Sequence, residues 1–497
     1  MIFLLKLSEI VNPFQSIIAL STVILFLSFF AVSSNKAIKK YLFAVVLFFM
    51  LAAFLLNIHS YILFDSFSDS LILFGNVQMI EIGIILFSAI NVLLFIFIRD
   101  GREDYFVKEL TLFIFLVISA EFVIISKNFL LMFIALSVFI IAMFQLVSIV
   151  NSKVDKIITC TLRFFLRPTL TVIFFFTGFS LLYGASDFKE FNKILESEHI
   201  SSPIVLLALI IFGIAIYLYF FLFPVQGPYM KIVKRNSSSA NALLWFLYFP
   251  AGIFLFLKTG SLYSYFMERN NVYGSIILIT LTCGCMLASN IGAISTKSPR
   301  RIISFIFLFF ISTFLFNISM YSTGVITGYL MNLFNFINIF IMLFSFMPLY
   351  FIFSSIEDNT GEDSIRNIRG LGRNYVYTGV NMVVLSLSWL GLIYYLEPFI
   401  NLFKRSGFLN AGVINIVLLT VFTICFIFLS GNIFRIIVNI FKGATGEAMK
   451  KVQFSRFLYV YITFYSLVII SVPVIILIDR LGFNIRFIDF GIKEFIF

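Results

Sequence analysis

The stretch Gly213–Asn241, GIAIYLYFFLFPVQGPYMKIVKRNSSSAN, changes character twice along its length. It begins as an apolar helix, is interrupted at Pro224, Gly227 and Pro228, and then carries three basic residues before the next apolar run. Proline has no backbone N–H and clashes with the preceding turn, so a helix ends or breaks there. Inside a bilayer, the freed backbone groups are tolerated only where protein or a watery cavity satisfies them. The stretch therefore predicts a broken membrane helix and marks the first place to look for a polar path.

The composition of the whole chain indicates an integral membrane protein. Hydrophobic residues make up 61% and charged residues 12% of the 497 positions, against roughly 45–50% and about 25% in soluble domains. A span needs about 20 apolar residues. By that criterion the sequence predicts an all-α polytopic protein with about fourteen spans, and the run 325–353 is long enough to be bent or strongly tilted. The predicted centres lie near Ile24, Phe48, Ile85, Leu116, Val138, Phe174, Ile211, Phe249, Ile279, Leu308, Ile339, Leu387, Phe422 and Ile469.

Basic residues are concentrated in alternate connectors between the predicted spans. The connectors around 231–235 and 297–301 are strongly basic, whereas the opposite set includes the acidic stretch Asp187–Glu198. By the positive-inside rule the basic set faces the cytoplasm. We therefore expect a multi-pass protein of the inner (cytoplasmic) membrane with both termini on the non-cytoplasmic side. The net charge of +11 is then a property of the loops and does not indicate nucleic-acid binding.

The sequence offers no place for a bound cofactor. No piece between the spans is long enough to fold as a domain, and the chain contains neither a Walker A motif nor a glycine-rich dinucleotide motif. Cys283 and Cys285 form a Cys-x-Cys pair, but His59 and His199 are the two histidines of the chain, which leaves no ligand set for zinc or an iron–sulfur cluster. We expect no cofactor to be bound by this chain and no catalysis by the chain alone.

Several connectors match one protein family in order and spacing. With these motifs the chain resembles the antiporter-like membrane subunits of proton-pumping NADH:quinone oxidoreductase, respiratory complex I, and among them subunit N most closely. The resemblance covers most of 104–442. The motifs are Ser180–Ser186 (SLLYGAS), Asn290–Arg301 (NIGAISTKSPRR), Ile368–Arg373 (IRGLGR), Leu385–Ser388 (LSLS) and Gly431–Arg435 (GNIFR).

The resemblance implies a fold of fourteen helices with two inverted five-helix repeats, each containing an interrupted helix. It divides the chain into an N-terminal three-helix segment over 1–103, a first repeat over 104–258, a second repeat over 259–442, and a C-terminal helix and tail over 443–497. Pro224 then lies in the first broken helix. The second broken helix is expected at about Asn381–Phe403.

The same resemblance implies that the proton relay of the family has been replaced. Buried lysine and glutamate relay protons because burial and mutual contact bring their pKa values together, whereas tyrosine titrates near about 10 and proline and phenylalanine do not titrate. The histidine that follows the first break in the family falls on Gln226. The family's other relay positions fall, from the fifth span to the twelfth, on Ser137 or Val138, Tyr219, Pro250, Phe310 and Phe399.

Three glutamates are candidate proton-path residues, because an ionisable group inside a membrane costs about 2.5–3.5 kcal/mol or more. Glu81 lies near the start of the third span and Glu121 lies deep in the fourth. Each either faces an internal polar path or is held structurally against a neighbouring helix. Glu397 precedes Pro398 in the second broken helix, where it either compensates for the missing lysine or marks the end of a span.

Four further polar residues lie in or beside the predicted spans. Tyr219 and Gln226 could hold water in the gap that Pro224 leaves. Arg435 matches an arginine of the family pattern and is expected to pair with a carboxylate or a carbonyl inside the bundle. Lys258 ends the eighth span and is expected to extend to the membrane interface.

These patterns favour a subunit-N-like membrane-arm subunit of complex I or of a complex-I-like assembly, packed against other membrane-arm subunits and without the usual relay for direct proton pumping. NADH oxidation, quinone reduction and proton transport would then belong to the assembly, and this chain would bind neither NADH, flavin nor an iron–sulfur cluster. One alternative is a subunit of a multisubunit sodium/proton antiporter. Others are a stand-alone fourteen-span transporter or lipid flippase, which would need its own charged cavity, and a receptor or structural protein that has lost transport.

Overall fold

The structure is a computed structural model, and nearly all of its described residues are helical. The described residues are 15–29, 36–63, 67–68, 73–74, 76–100, 106–150, 155–186, 203–258, 272–322, 325–360, 364–396, 398–401, 413–442 and 456–480. Within them, two short antiparallel strands, β1 (Phe67–Ser68) and β2 (Leu73–Phe74), are the extended elements.

The helices of the first half follow one another along the chain as packed neighbours, with α1 against α2, α2 against α3, α4 against α5, and α6 against both α5 and α7. Helix α3 also packs on α4 and α9, and α5 also packs on α9. The helices are α1 (Gln15–Phe29), α2 (Lys36–Leu63), α3 (Asn76–Asp100), α4 (Phe106–Ile125), α5 (Phe129–Val150), α6 (Asp155–Ser186), α7 (Pro203–Phe220), α8 (Gly227–Arg235) and α9 (Ser238–Lys258).

The helices of the second half pack less strictly in chain order, with α10 against α11 and α15, and α14 against α15 and α16. Helix α12 is continuous through Gly328–Ile341, Met342–Phe346 and Met347–Thr360, of which the middle piece is a π-helical turn. The other helices are α10 (Val272–Ser295), α11 (Pro299–Ser322), α13 (Leu371–Asn374), α14 (Val376–Leu387), α15 (Val413–Phe441) and α16 (Arg456–Arg480), with 3₁₀ segments at Ile365–Ile368 and Ser388–Tyr395.

The helices have the length and composition of membrane spans. Among the described residues, nine stretches are long and apolar enough to cross a membrane, and three shorter apolar helices accompany them. Each of the fourteen centres predicted from hydropathy lies in one of the helices. Large apolar side chains such as Phe48, Leu166 and Val460 point outward, as expected where lipid replaces water as the solvent. The prediction of an all-α, multi-pass membrane protein is confirmed.

The chain folds into two compact units. Unit 1 comprises the described residues within Met1–Phe221 and Arg235–Phe266, and its most buried span is α9. Unit 2 comprises the described residues within Leu222–Lys234 and Met267–Phe497, and its most buried span is α11. Each unit therefore has one central helix enclosed by the others.

Both predicted helix interruptions are present. Helix α7 ends at Phe220 and α8 begins at Gly227, with a cis peptide bond before Pro224. Phe221 has a φ of 52°, which costs a residue other than glycine about 1–2 kcal/mol. Its buried ring stacks on that of Phe164 with centroids 4.5 Å apart, and this packing holds the strained residue in place. In unit 2, α14 tightens into a 3₁₀ helix from Ser388 to Tyr395, unusually long for that geometry.

Candidate functional site

The first candidate site is a pair of tyrosines in unit 1, at the position where the family resemblance expects a lysine. Tyr219 Oη donates to the carbonyl oxygen of Tyr248 over 2.8 Å, and Tyr248 Oη donates to the carbonyl oxygen of Tyr219 over 3.1 Å. The two rings stack in parallel with centroids 4.3 Å apart, and both residues are fully buried. Each hydroxyl thus satisfies the other residue's backbone carbonyl, at the broken end of α7 and at the end of the π-helical turn Leu244–Tyr248 in α9.

Gly252 gives the ring of Tyr219 its space. A Cβ added at Gly252 would lie 2.0 Å from a ring carbon of Tyr219, a distance too short for two carbon atoms that are not bonded to each other. The ring therefore fills the groove on α9 one turn beyond Tyr248, beside Pro250. The tyrosine hydroxyls thus satisfy the carbonyls of residues 219 and 248 with protein donors, which is one of the two ways in which a bilayer tolerates polar groups near a helix break.

The other positions matched to the family relay hold buried apolar groups or, on α5, the more exposed Ser137 and Val138. Phe310 is fully buried in α11 and makes an edge-to-face contact with Phe346, with centroids 5.3 Å apart. Phe399 is fully buried against Phe316. Val138 is 40% exposed on α5. The aromatic side chains thus occupy positions in the interior of unit 2 at which the resemblance implies titratable groups.

The second candidate site is a group of charged side chains in unit 1. Glu121 on α4 is fully buried, and Glu81 on α3 is 9% exposed. Lys258 ends α9, the helix that packs against α3. Its ammonium donates to the carbonyl oxygens of Ile124 at 2.8 Å, Val123 at 3.4 Å, and Ser126. A cation at this position is favourable because carbonyls at the end of a helix lack partners and carry partial negative charge.

Lys258 is the residue whose partners sequence reasoning missed. It was expected to extend to the membrane interface, and the structure shows instead that its ammonium is held by the carbonyl end of α4, a bond between residues 134 positions apart. A lysine that ends an apolar span gives no sign in the sequence of whether it reaches water or a neighbouring helix end.

Arg435 in unit 2 makes a similar set of contacts. Its guanidinium donates to the carbonyl oxygens of Ile294 at 2.8 Å, Thr296 at 2.7 Å, and Ala293 at 3.4 Å. These carbonyls lie at the end of α10. Of the two kinds of partner expected for Arg435, carbonyls are the ones observed.

The interior of unit 2 holds a polar cluster without charge. Asn317 Nδ2 donates to Asn335 Oδ1 over 2.5 Å. Asn338 Nδ2 donates to Thr313 Oγ1 and to Tyr395 Oη, each over 2.7 Å. All five residues are buried and lie on α11, α12 and the 3₁₀ segment after α14. The cluster therefore ties the irregular second broken helix to the central helix α11 through neutral hydrogen bonds.

Two of the predicted site residues are not joined to these groups. Gln226 lies in the turn just before α8, and among the described residues its shielded Oε1 has no hydrogen-bond partner. Glu397 lies outside the described residues. The prediction that Tyr219 and Gln226 hold water beside Pro224 stays a prediction.

The IRGLGR motif belongs to a packed region of unit 2. Gly370 has a φ of 72°, a left-handed conformation that favours glycine. A Cβ added at Gly372 would lie 2.4 Å from the ring of Phe441, and one added at Gly379 would lie 2.6 Å from Gly372. Nearby, Arg300 and Glu357 form an ion pair of 2.5 Å. The motif is explained by close backbone packing, so its match to the family is a match of fold.

No protein-family model matches the chain, and no curated protein sequence matches it. Solved structures do share its fold. A chain of respiratory complex I from Thermus thermophilus with bound aureothin has a TM-score of 0.71 and 14% identity, covering 92% of this chain and 96% of that one. A chain of the membrane-bound sulfane sulfur reductase (MBS), an archaeal respiratory membrane complex, has a TM-score of 0.71 and 14% identity, covering 96% and 98%.

A chain of the Mrp complex from Dietzia sp. DQ12-45-1b has a TM-score of 0.75 and 12% identity, covering 98% of this chain and 96% of that one. The alignments thus extend over nearly the whole of each chain. At such identities they show a common fold and nothing finer. The resemblance that the loop motifs predicted is confirmed at that level.

Proposed function

We propose that this protein is a subunit-N-like membrane-arm subunit of a complex-I-like respiratory assembly, in which it packs against other membrane subunits and lacks the usual proton relay. The observation that carries the proposal is the interlocked pair Tyr219 and Tyr248. It fills the position of the family's broken-helix lysine, and both hydroxyls are used as donors to backbone carbonyls.

The packing around this pair supports a structural role. A proton relay needs groups that alternately bind and release a proton at the membrane centre. Phe310 and Phe399 have no such group, and the ring of Tyr219 is packed tightly against Gly252. The proposed protein therefore keeps the architecture of a pump and replaces its usual titratable centre by close-packed rings.

The proposed partners are other membrane-arm subunits, and the proposed location is the inner membrane with both termini on the non-cytoplasmic side. The matched chains come from complexes, two of which are described as respiratory. Electron transfer from NADH to quinone would be carried out by other subunits. The outward-facing apolar side chains of both units suit contact with lipid or with apolar helices of a neighbour.

The decisive experiment is affinity purification of the full chain, tagged at one terminus and expressed at native level, from membranes dissolved in a mild detergent. We expect quinone-reductase membrane subunits to co-purify in fixed ratio, identified by mass spectrometry. An unrelated multi-pass protein with the same tag serves as the control for adhesion. A chain that runs alone, with no such subunits, would contradict the proposal.

A multisubunit cation/proton antiporter is the second candidate, favoured by the fold match to the chain of the Mrp complex. The same purification separates the two candidates by the identity of the co-purifying subunits. Subunits of an electron-transfer complex support the first candidate, and an assembly without redox subunits supports the second.

The missing relay is tested with Tyr219→Phe, which removes the hydroxyl and keeps the ring. We expect proton movement per turnover of the purified assembly, measured in sealed vesicles, to equal that of the wild type. Tyr248→Phe is the matched control, because it removes the reciprocal hydroxyl. A large loss of proton movement in Tyr219→Phe alone would show that Tyr219 belongs to a working path.

A further inference from the structure

Two basic connectors and the end of α15 meet in unit 2. The N–H of Ile365 donates to the carbonyl oxygen of Lys297 over 2.9 Å, which joins the region of the IRGLGR motif to the connector after α10. Arg369 Nε donates to Asn439 Oδ1 over 3.3 Å, which joins the same region to the last turn of α15. Segments that are far apart in the chain thus form one end of the unit, and the distribution of basic residues predicts that this end faces the cytoplasm.

A close contact places two further basic residues at this end. A Cβ added at Gly372 would lie 2.4 Å from the ring of Phe441. Arg373 follows Gly372 and Lys442 follows Phe441, so these two basic residues flank one contact. With the residues already named, they make a set of four exposed basic side chains, which we call the basic patch of unit 2: Lys297, Arg369, Arg373 and Lys442.

The positive charge of the basic patch is not neutralised by the described residues. Glu357 lies near the end of α12 and is paired with Arg300, which does not belong to the patch. Among the described residues, none of the four basic side chains forms an ion pair. The bond from Arg369 to Asn439 uses one of the five N–H donors of the guanidinium. The patch therefore has positive charge and hydrogen-bond donors left for an anion.

An outward apolar stripe on α15 leads to the patch. Phe434, Val438 and Lys442 are all exposed, and they follow one another at intervals of four residues. The N–H of Lys442 donates to the carbonyl oxygen of Val438 over 2.8 Å, so Lys442 continues the helical spacing. Residues four apart lie on one face of a helix. The apolar face of α15 therefore ends in a positive charge.

The helices that pack on α15 show the same arrangement. Ile294 is exposed near the end of α10, and Lys297 follows it by three residues. Val376 is exposed at the start of α14, and Arg373 precedes it by three residues. Both α10 and α14 pack against α15. Three neighbouring helices thus have apolar outward side chains in the span and basic residues at the same end, which matches the chemistry of a lipid with apolar chains and an anionic headgroup.

We propose that the basic patch of unit 2 binds the phosphate headgroup of an anionic phospholipid, whose acyl chains lie along the outward faces of α10, α14 and α15. The planar guanidinium groups of Arg369 and Arg373 suit a phosphate, because each can donate two parallel hydrogen bonds to it. Lys297 and Lys442 add positive charge beside them. The patch contains no position of the family relay, so the proposal does not depend on the proposed function.

The test is native mass spectrometry of the full-length protein, with whatever subunits co-purify, after exchange into lipid-free detergent and titration with phosphatidylglycerol or phosphatidylcholine. We expect phosphatidylglycerol to bind more tightly than phosphatidylcholine. The double variant Arg373→Gln with Lys442→Gln should weaken phosphatidylglycerol binding by at least about tenfold, because each basic residue near an anionic headgroup contributes several-fold. Arg373→Lys keeps the charge and should retain most of the binding.

The double variant Lys231→Gln with Lys234→Gln is the matched control. It removes the same charge from the exposed face of α8, which also belongs to unit 2, and should leave phosphatidylglycerol binding close to that of the wild type. An equal loss in this control, or equal binding of the two lipids, would overturn the proposal. So would displacement of the lipid by inorganic phosphate alone, which would indicate a site for free phosphate.

A protein occupant is the remaining outcome. If Arg373→Gln with Lys442→Gln releases a co-purifying subunit and leaves lipid binding unchanged, the patch binds that subunit and the proposal is wrong. Both side chains are exposed, so we expect the double variant to fold. If it does not, Lys297→Gln and Lys442→Gln, each measured alone against the same control, decide the question.

Discussion

The two units of this protein stabilise their polar interiors in different ways. Unit 1 buries charged groups, with Glu81 and Glu121 on neighbouring helices and Lys258 at a helix end. Among the described residues of unit 2, the buried cluster around Asn338 and Tyr395 is uncharged. Both units hold the carbonyl end of a helix with a basic side chain, Lys258 in unit 1 and Arg435 in unit 2. Unit 1 thus buries carboxyl groups within its helices, whereas unit 2 has a neutral interior cluster and places a buried ion pair, Arg300 with Glu357, near helix ends.

The largest expected effect comes from Lys258→Met. It removes a charged donor from three carbonyls at the end of α4 and takes a positive charge away from the region of the buried Glu81, so we expect a loss of about 3 kcal/mol of stability. The measurement is the free energy of unfolding in mixed detergent micelles. The double variant Glu81→Gln with Lys258→Met should regain part of the loss, and the absence of any recovery would show that the two residues are not coupled.

A smaller loss is expected for Arg435→Met in unit 2. The variant removes hydrogen bonds from a charged donor to the carbonyls at the end of α10, a contribution of about 1.5–3 kcal/mol. The same unfolding measurement applies. If Arg435→Met proved as costly as Lys258→Met, the extra cost that we assign to the loss of positive charge near Glu81 would be wrong.

The tyrosines of the two units give a third comparison. Tyr219→Phe leaves the buried carbonyl of Tyr248 without its donor and should cost about 1–2 kcal/mol. Tyr395→Phe should cost less, about 0.5–1.5 kcal/mol, because Asn338 Nδ2 keeps its bond to Thr313. Thermal unfolding of the two variants, purified side by side, gives the order. The reverse order would mean that the neutral cluster of unit 2 is more important than the tyrosine pair of unit 1.

The smallest effect is expected for Lys258→Arg. Arginine at position 435 binds the carbonyls at the end of a helix in the same way. The exchange should therefore change stability by less than about 1 kcal/mol. The variant is measured by the same unfolding assay as Lys258→Met. A severe loss would show that the end of α4 accommodates only the smaller ammonium, and that lysine and arginine are not interchangeable at position 258.

Much of the fold could be predicted from the sequence, and less of the candidate site. The hydropathy pattern placed a centre in every spanning helix, and Pro224 identified the broken one. Glu81, Glu121 and Arg435 were recognised as polar residues within or beside spans, but their partners were not. The role expected for Lys258 differed from the observed one, because the carbonyls it binds belong to a helix far earlier in the chain. The pairing of Tyr219 with Tyr248 was missed for the same reason.

The sequence by itself determined that the chain crosses a membrane many times and where its helices break. These properties depend on the transfer of each segment into lipid and on proline's missing N–H, which are local. Only the tertiary structure decided that Tyr219 packs against Gly252 and bonds to Tyr248, and that Lys258 holds the end of α4. Such contacts depend on how each helix is rotated against its neighbours, and that rotation is set by the packing of all the helices in a unit together.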